Sequence, residues 1–128
     1  MDKTDSVSNA TSTAVENCVF CKIIAGEIPA RIAFQDDEVF AFHDIEPQAP
    51  IHVVIVPRIH LASIDEFGME HAGLLAHLIV AAQIIAGPIG ARENGYRLVV
   101  NHGSDGGQSV AHTHVHLLAG RALGWPPG

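Results

Sequence analysis

Basic side chains are scarce in this sequence: seven Lys and Arg stand against fourteen Asp and Glu, a formal net charge of −7. A protein that grips long nucleic acid presents clustered cations to the phosphates, and no such cluster is present. A nucleic-acid polymer is therefore not an expected partner. A small nucleotide still is, because backbone N–H groups and neutral imidazoles hold a single phosphate without a basic field. Cysteine is nearly absent as well. Cys18 and Cys21 are too few for a disulfide framework and fit a reducing compartment, so a cytoplasmic location is expected. No apolar run approaches the roughly 20 residues of a membrane span, and the Ser/Thr-rich start lacks the apolar centre of a signal peptide. No membrane partner is expected, and residues 1–17 read as a disordered leader.

Apolar residues and histidine are what the chain has in quantity. Its 128 residues, 48% hydrophobic, suit one domain with a real core, expected over 18–128. Val19, Phe20, Ile23 and Ile24 predict a short amphipathic helix within Cys18–Ala25 that Gly26 ends, and Pro29 forces an extended exit. Arg31–Gln35 and Val39–His43 alternate as two strands around an Asp36-Asp37 turn. Pro47 and Pro50 mark a loop, and the β-branched run His52–Val56 reads as a central strand stopped at Pro57. Leu74, Leu75, Leu78, Ile79, Ala82 and Ile85 recur at helical spacing, predicting a second helix from Met69 to Ala86 with Gly87-Pro88 as its stop. Tyr96–Asn101 and His112–Leu118 read as strands flanking a glycine-rich loop, Gly103–Gly107. Trp125-Pro126-Pro127-Gly128 makes a rigid apolar tail, expected to lie on its own domain or on a partner subunit. The element order lacks regular βα alternation, so the fold class is α+β with an antiparallel sheet.

The run His112-Thr113-His114-Val115-His116 carries the most chemistry. A strand repeats its facing every two residues, so the imidazoles share one side with neighbouring Cβ atoms about 6.5–7 Å apart, while Thr113, Val115 and Leu117 face the packing. Three readings compete. A solvated edge strand normally carries Lys, Glu or Thr instead. A metal site is chemically sound, since imidazole ligates zinc and copper. Catalysis is favoured by the adjoining glycine-rich loop, because clustered titratable groups beside such a loop mark a site. Crowded imidazoles repel one another when protonated and so stay neutral, and a neutral ring nitrogen is a nucleophile. His114, with a histidine on each side, is the candidate. Gly103–Ser109 offers N–H groups to cradle a phosphate, and Gln108 and Ser109 add neutral donors. The expected chemistry is bond breaking at a nucleotide phosphate.

Gly107-Gln108-Ser109-Val110-Ala111-His112-Thr113-His114-Val115-His116-Leu117-Leu118 resembles the histidine-triad signature, His-x-His-x-His followed by two apolar residues. Glu27-Ile28-Pro29-Ala30, Ala41-Phe42-His43-Asp44-Ile45, Pro47-Gln48-Ala49-Pro50, Val99-Val100-Asn101 and the Trp125–Gly128 tail resemble the Hint branch of that histidine-triad (HIT) superfamily, the purine nucleoside phosphoramidases. The likeness runs from about Cys18 to Gly128. It implies a HIT-like homodimer, each subunit a five-stranded antiparallel sheet with two helices. It implies that His114 attacks the α-phosphorus of a purine nucleoside phosphoramidate, expels an amine, and forms a nucleotidyl-histidine that water cleaves to AMP or GMP. No cofactor is needed for that chemistry. Asp44 would hold the ribose hydroxyls, with Val19, Phe20 and Ile45 against the purine, and Asn101, Gly107 and Ser109 would surround the phosphate. His52 and His112 would complete the imidazole set, His116 would fix the tautomer of His114, and Ser109 or His112 would deliver a proton to the leaving amine. Read without the resemblance, Asp44 is a turn-former before Pro47. His43 reads as packed or solvated, and His71, His77 and His102 as surface residues. Two positions depart from the family pattern: His102 stands where an acidic residue is commoner, and Ala111 replaces a larger, often aromatic one.

Cys18-Val19-Phe20-Cys21 lacks the βαβ context of a thioredoxin-like motif. Many histidine-triad relatives combine such a pair with two imidazoles on zinc, and the matching positions are His60 and His112. That set would make a closed, structural tetrahedral site; the alternative is two buried reduced thiols. Zinc would remove His112 from proton transfer and leave that role to Ser109. Two other functions stay open beside the phosphoramidase. One is a dinucleoside polyphosphate hydrolase, from whose branch this chain departs in having Ser109 for Thr and in its Trp125 tail. The other is a nucleotide-binding regulatory or scaffold protein with little turnover.

Overall fold

The computed structural model describes residues 15–128. Helix α1, Val19–Ile24, begins at Cys18, whose sulfur caps it by accepting the Cys21 N–H at 3.2 Å. Gly26 follows the helix at φ +82°, a left-handed value that glycine adopts without Cβ strain. Val15 to Asn17, expected in the leader, form a turn in which the Cys18 N–H donates to the Val15 carbonyl at 3.1 Å. The remainder of the expected leader, 1–14, lies outside the described residues.

Strands β1 (Ile32–Gln35) and β2 (Val39–His43) form a hairpin. Asp36 closes its turn, accepting the N–H groups of Glu38 and Val39 at 2.9 and 2.8 Å. Then come β3 (Ile51–Pro57), two 3-10 turns (Ile64–Glu66 and Met69–His71), α2 (Ala72–Ala86), β4 (Tyr96–Val100), a short helix α3 (Gly103–Gly106) and β5 (Val115–Ala119). The strands make one sheet in the order β1-β2-β3-β5-β4, every neighbouring pair antiparallel. This is the expected α+β architecture, with α3 and the 3-10 turns added to the two expected helices.

Two details differ from expectation. The glycine-rich stretch contains a helical turn, and the last strand begins at Val115 instead of His112. His112-Thr113-His114 lie outside the strand ladder because Thr113 bonds elsewhere: its N–H and its hydroxyl both donate to the Leu61 carbonyl, at 2.7 and 2.8 Å.

Alternation along β2, β3 and β5 builds two layers. Val39, Ala41, Val53, Ile55, Val115 and Leu117 face α2, packing on Leu78, Ala81, Ala82 and Ile85. Phe40, Phe42, Val54 and Val56 face α1 and its Cys18, Phe20 and Cys21. With its leading 3-10 turn, α2 is an 18-residue apolar stretch of mean hydropathy 1.5, closer to spanning length than the sequence suggested. Its buried face against the sheet marks it as a core helix. The tail is held by Arg97, which donates to the carbonyls of Leu123 and Gly124 at 3.2 and 2.8 Å. Trp125 itself does not lie on the domain: it is 83% exposed. His102 is exposed as expected, whereas His71 and His77 are half-buried.

Candidate active site

The register of β3 on β5 sets Val54 opposite His116. His52, two residues before Val54 and so on the same face, meets His116 diagonally, Nε2 to Nδ1 at 2.9 Å. Partners of fixed polarity place the protons on these rings. The Gln48 N–H donates to His52 Nδ1 at 3.0 Å, so neutral His52 carries its proton on Nε2 and donates it to His116 Nδ1. His116 in turn carries its own proton on Nε2. His114 Nδ1 lies 2.7 Å from the His112 carbonyl, which only accepts, so His114 donates from Nδ1 and keeps a lone pair on Nε2. The group fixing the tautomer of His114 is therefore the His112 carbonyl. His116 was expected in that role, but its Nδ1 is engaged by His52.

These imidazoles are neutral, as expected, though the main cause is burial and not mutual repulsion. Burial holds His112 and His116 down at about 4, with neighbouring histidines adding to the effect. It likewise lowers His52 and His114 below the usual histidine range, against an opposing pull from Asp44. A buried ring without a counter-charge loses more by giving up hydration of its cation than it gains from protonation.

His114 and His116 line a groove of about 390 Å³, within the range of small-ligand sites. Its apolar wall comes from Phe20 and Ile23 of α1, Ile28 and Ala30 beyond it, and Phe42 and Val54 of the sheet. The Phe20 ring stands edge-on to His114, centroids 5.1 Å apart. Val19, Phe20, Asp44, Ile45, Ser109, His114 and His116 of the expected site meet there, and Ile45 is 93% exposed. His43 lines the groove as well; burial and then the Arg31 charge hold its pKa down. Asp44 forms the turn foreseen for it, accepting the Glu46 N–H at 2.8 Å, and it also lines the groove, with Oδ2 3.5 Å from His52 Nε2.

Asn101, Gly107 and Gln108 are not among the lining residues. The Gln108 amide donates to the carbonyls of Ala62 and Val110, at 2.8 and 3.0 Å, and accepts the Gly103 N–H at 3.2 Å. Gly107, at φ +81°, turns its N–H back onto the carbonyls of Gly103 and Ser104, and the Gln108 N–H donates to Gly103 at 3.0 Å. Three of the amides expected in a phosphate cradle, those of Gly103, Gly107 and Gln108, are thus bonded within the turn itself. From the stretch 103–109, Ser109 is what reaches the groove.

A second cluster joins Cys18, Cys21, His60 and His112, whose donor atoms lie within 4.8 Å of one another. Sulfur to Nδ1 separations are 3.4 Å (Cys18–His112), 3.4 Å (Cys21–His60) and 3.6 Å (Cys21–His112), and the two Nδ1 atoms are 3.2 Å apart. Around tetrahedral zinc, bonds of about 2.3 Å to sulfur and about 2.05 Å to nitrogen space S and N by about 3.6 Å and N and N by about 3.3 Å. The donor set fits zinc in type and spacing. His112 donates from Nε2 to the Pro57 carbonyl at 2.8 Å, which aims its Nδ1 lone pair into the cluster as second-shell bonds do. Burial pushes the Cys21 thiol up to about 11, a penalty on the thiolate that a cation offsets.

Asp44, His52 and His116 also converge, each offering a donor atom within 4.8 Å of the others. There the Gln48 amide forces a proton onto His52 Nε2, between the rings, and leaves His52 no lone pair for a cation. His52 and His116 are a hydrogen-bonded pair with the Asp44 carboxylate 3.5 Å from His52 Nε2.

Sequence reasoning gave no role to Gln48, whose backbone N–H sets both tautomers, nor to the wall residues Ile23, Ile28, Phe42 and Val54. The wall had a signal, because Ile23 follows Phe20 by one helical turn and Phe42 shares a strand face with Phe40. The amide had none, since any residue but proline supplies an N–H.

Comparison with known proteins agrees with this geometry. The HIT domain family model matches residues 25–123. A purine nucleoside phosphoramidase of Escherichia coli K12 is 48% identical over 109 residues, covering 85% of this chain and 92% of that protein. An uncharacterized HIT-like protein of Synechococcus elongatus is 49% identical over 113 residues, covering 88% and 98%. Among solved structures, a HIT family hydrolase from Legionella pneumophila superposes with a TM-score of 0.85 at 50% identity, covering 88% of this chain and all of that one. A histidine triad protein from Clostridium difficile gives 0.84 at 40% identity, covering 87% and 96%. This chain belongs to the HIT domain family.

Proposed function

We propose that the protein hydrolyses purine nucleoside phosphoramidates through a covalent adduct on His114. The observation carrying this reading is a neutral imidazole whose proton is committed to a backbone carbonyl and whose Nε2 lone pair belongs to a nucleotide-sized groove. The likeness to a purine nucleoside phosphoramidase supports the substrate class. The purine lies against Phe20, Val19 and Ile45, and Asp44 accepts from the ribose hydroxyls as acidic residues do elsewhere.

In the first step the Nε2 lone pair attacks phosphorus. The P–N bond breaks, its electron pair goes to the amine nitrogen, and that nitrogen takes a proton. The Nδ1–H bond to the His112 carbonyl steadies the positive ring so formed. Water then adds to phosphorus and gives up a proton to solvent through Ser109, the P–Nε2 bond breaks with its electron pair returning to Nε2, and the nucleoside monophosphate leaves. His112 donates its proton to Pro57, so the Ser109 hydroxyl, relaying from water, serves the leaving amine. The dinucleoside polyphosphate alternative is less well supported, because among the described residues no Lys or Arg lines the groove to meet the extra phosphates.

Cys18, Cys21, His60 and His112 would hold zinc as a structural tie between α1, the chain after β3 and the residues before β5. The ion supplies fold stability there and takes no part in the reaction. We also read the chain as a homodimer: β4 leaves one sheet edge unpaired, and Val80 and Ile84 of α2 are 45% and 49% exposed. Mass spectrometry of rapidly quenched enzyme with an adenosine phosphoramidate tests the chemistry. One nucleoside monophosphate on His114 is expected; hydrolysis with no adduct at any quench time would refute the covalent route.

A further inference from the structure

His52 owes its tautomer to a single backbone group, the Gln48 N–H at 3.0 Å from Nδ1. The two neutral forms of an imidazole lie close in energy, so the bond made at one nitrogen decides where the proton sits. Released from that amide, His52 is free to carry its proton on Nδ1 and to turn the Nε2 lone pair toward His116. His116 then holds its own proton on Nδ1, and its Nε2 becomes an acceptor. His116 lines the nucleotide groove, and Nε2 is its ring nitrogen not taken up by His52. The aim of one amide therefore sets whether this ring meets phosphoryl oxygens with a proton or with a lone pair.

That amide is held from outside the groove. Strands β3 and β5 pair Ile51 with Ala119, which brings the loop before β3 and the corner after β5 to the same end of the sheet. The corner grips the loop twice. Arg121 Nη2 donates to the Gln48 carbonyl at 3.0 Å, and Nη1 donates to the Ala122 carbonyl at 3.1 Å. Gly120 stands against Pro50: a Cβ there would come within 2.8 Å of the Pro50 Cβ, and its φ of +92° disfavours any other residue. The N–H and the carbonyl of Gln48 are thus engaged in opposite senses, one by His52 and one by Arg121. Water hydrates an exposed carbonyl in many orientations, whereas a guanidinium anchored at the end of β5 admits few. Arg121 is itself exposed and does not line the groove.

Building on the phosphoramidase reading, we infer that Gly120 and Arg121 are positioning residues for the reaction. By clamping the loop 47–50 they aim the Gln48 amide at His52, and through His52 they keep a proton on Nε2 of His116 for the phosphoryl group.

Nitrogen-15 NMR of the imidazoles in the ligand-free protein reads the tautomers directly. Wild type is expected to show His52 and His116 both protonated at Nε2. Arg121→Ala should give His52 a mixture containing the Nδ1–H form, and should lower kcat on an adenosine phosphoramidate about fivefold with little change in KM. Arg121→Lys, which keeps one donor, should restore the Nε2 forms and bring kcat to within about twofold of wild type. Gly120→Ala, which displaces Pro50, should shift the tautomers further; where it yields no folded protein, the surface variant Arg121→Ala decides alone. Wild-type tautomers in Arg121→Ala overturn the inference, and a lowered unfolding midpoint beside them makes the corner a structural tie only. Shifted tautomers at full kcat overturn it as well. Because the tautomers are read without substrate, the two readings fail separately. Shifted tautomers without turnover of any phosphoramidate keep the clamp and remove the phosphoramidase reading. Turnover through an adduct on His114, with tautomers unmoved by the variants, does the reverse.

Discussion

The sheet face under α2 and the face under α1 draw on alternate residues of the same strands, yet they hold different chemistry. Toward α2 stand Val39, Ala41, Val53, Ile55, Val115 and Leu117, and among the described residues no cysteine packs into that cluster. Toward α1 stand Phe40, Phe42, Val54 and Val56 with Cys18 and Cys21, and among them the buried rings of His52, His112 and His114. A close-packed apolar layer contributes folding free energy in proportion to the area it removes from water. Buried imidazoles and thiols cost free energy unless each polar atom finds a partner. One face therefore supplies stability that lets the other keep neutral rings at low dielectric. The partners on the reactive face are all specific: Gln48 for His52, His52 for His116, the His112 carbonyl for His114.

If the division is real, damage to the two faces should separate activity from stability. The largest expected effect is on the reactive face. His114→Ala removes the nucleophile and should lower amine release from an adenosine phosphoramidate by roughly 10⁴-fold or more. AMP affinity should stay close to wild type, because Asp44 and the apolar wall remain. Turnover within tenfold of wild type would break the assignment of chemistry to this face.

The four-donor cluster is the place where the reactive face contributes to stability. A ligand present at a thousandfold over its Kd stabilises the native state by about 4 kcal/mol. Stripping zinc with a chelator should accordingly lower the unfolding midpoint by about 15 °C. His60→Ala should show the lower midpoint from the start and no further response to chelator. An identical midpoint with and without chelator would leave the cluster as two buried thiols beside two imidazoles.

On the opposite face, Leu78 is fully buried against the sheet. Leu78→Ala should cost about 3 kcal/mol, read as a lower urea midpoint, with kcat per folded molecule unchanged. A fall in kcat comparable to the loss of stability would mean the two faces are coupled and the comparison fails.

The contrast between faces was itself legible in the sequence. Period-two facing from His112 to Leu117 put imidazoles on one side and Val115 and Leu117 on the other, even though the ladder starts only at Val115. Helical spacing found α2, and β-branched composition found β3. What stayed hidden depends on backbone groups that residue type does not announce. The Thr113 bonds to the Leu61 carbonyl take His112–His114 out of the strand, and the amide of Gln48 decides two tautomers. Gln108 looked like a phosphate ligand from its place beside the triad, but its side chain closes its own turn. His60 lies 39 residues from Cys21, and only the family resemblance linked them before the fold brought their donor atoms to 3.4 Å.

The smallest expected effect lies where α2 meets the hairpin, and it sharpens the comparison because it is electrostatic without being catalytic. His77 of α2 bridges two carboxylates of the β1–β2 connection, Nε2 to Asp36 Oδ2 at 2.6 Å and Nδ1 to Glu38 Oε1 at 2.7 Å. Its bonds to Glu38 and Asp36 raise its pKa. Asp36 pays some burial, but the N–H groups of Glu38 and Val39 and the His77 ring hold its pKa below the usual value. The raised histidine contributes stability fully below its unfolded pKa of about 6.5, and that contribution fades as pH rises through the higher folded value. The lowered carboxylate contributes above its unfolded pKa of about 3.9 and loses that contribution as pH falls through the lower folded value. The clamp should therefore be strongest between about pH 4 and 6.5. For a partly exposed pair its worth is at most about 1 kcal/mol, a few degrees in the unfolding midpoint. His77→Gln should lower the midpoint most near pH 5.5 and least near pH 8.5, with kcat unaffected at either. A difference that grows with pH would reverse the sign and show that the ring acts there through packing in its neutral form.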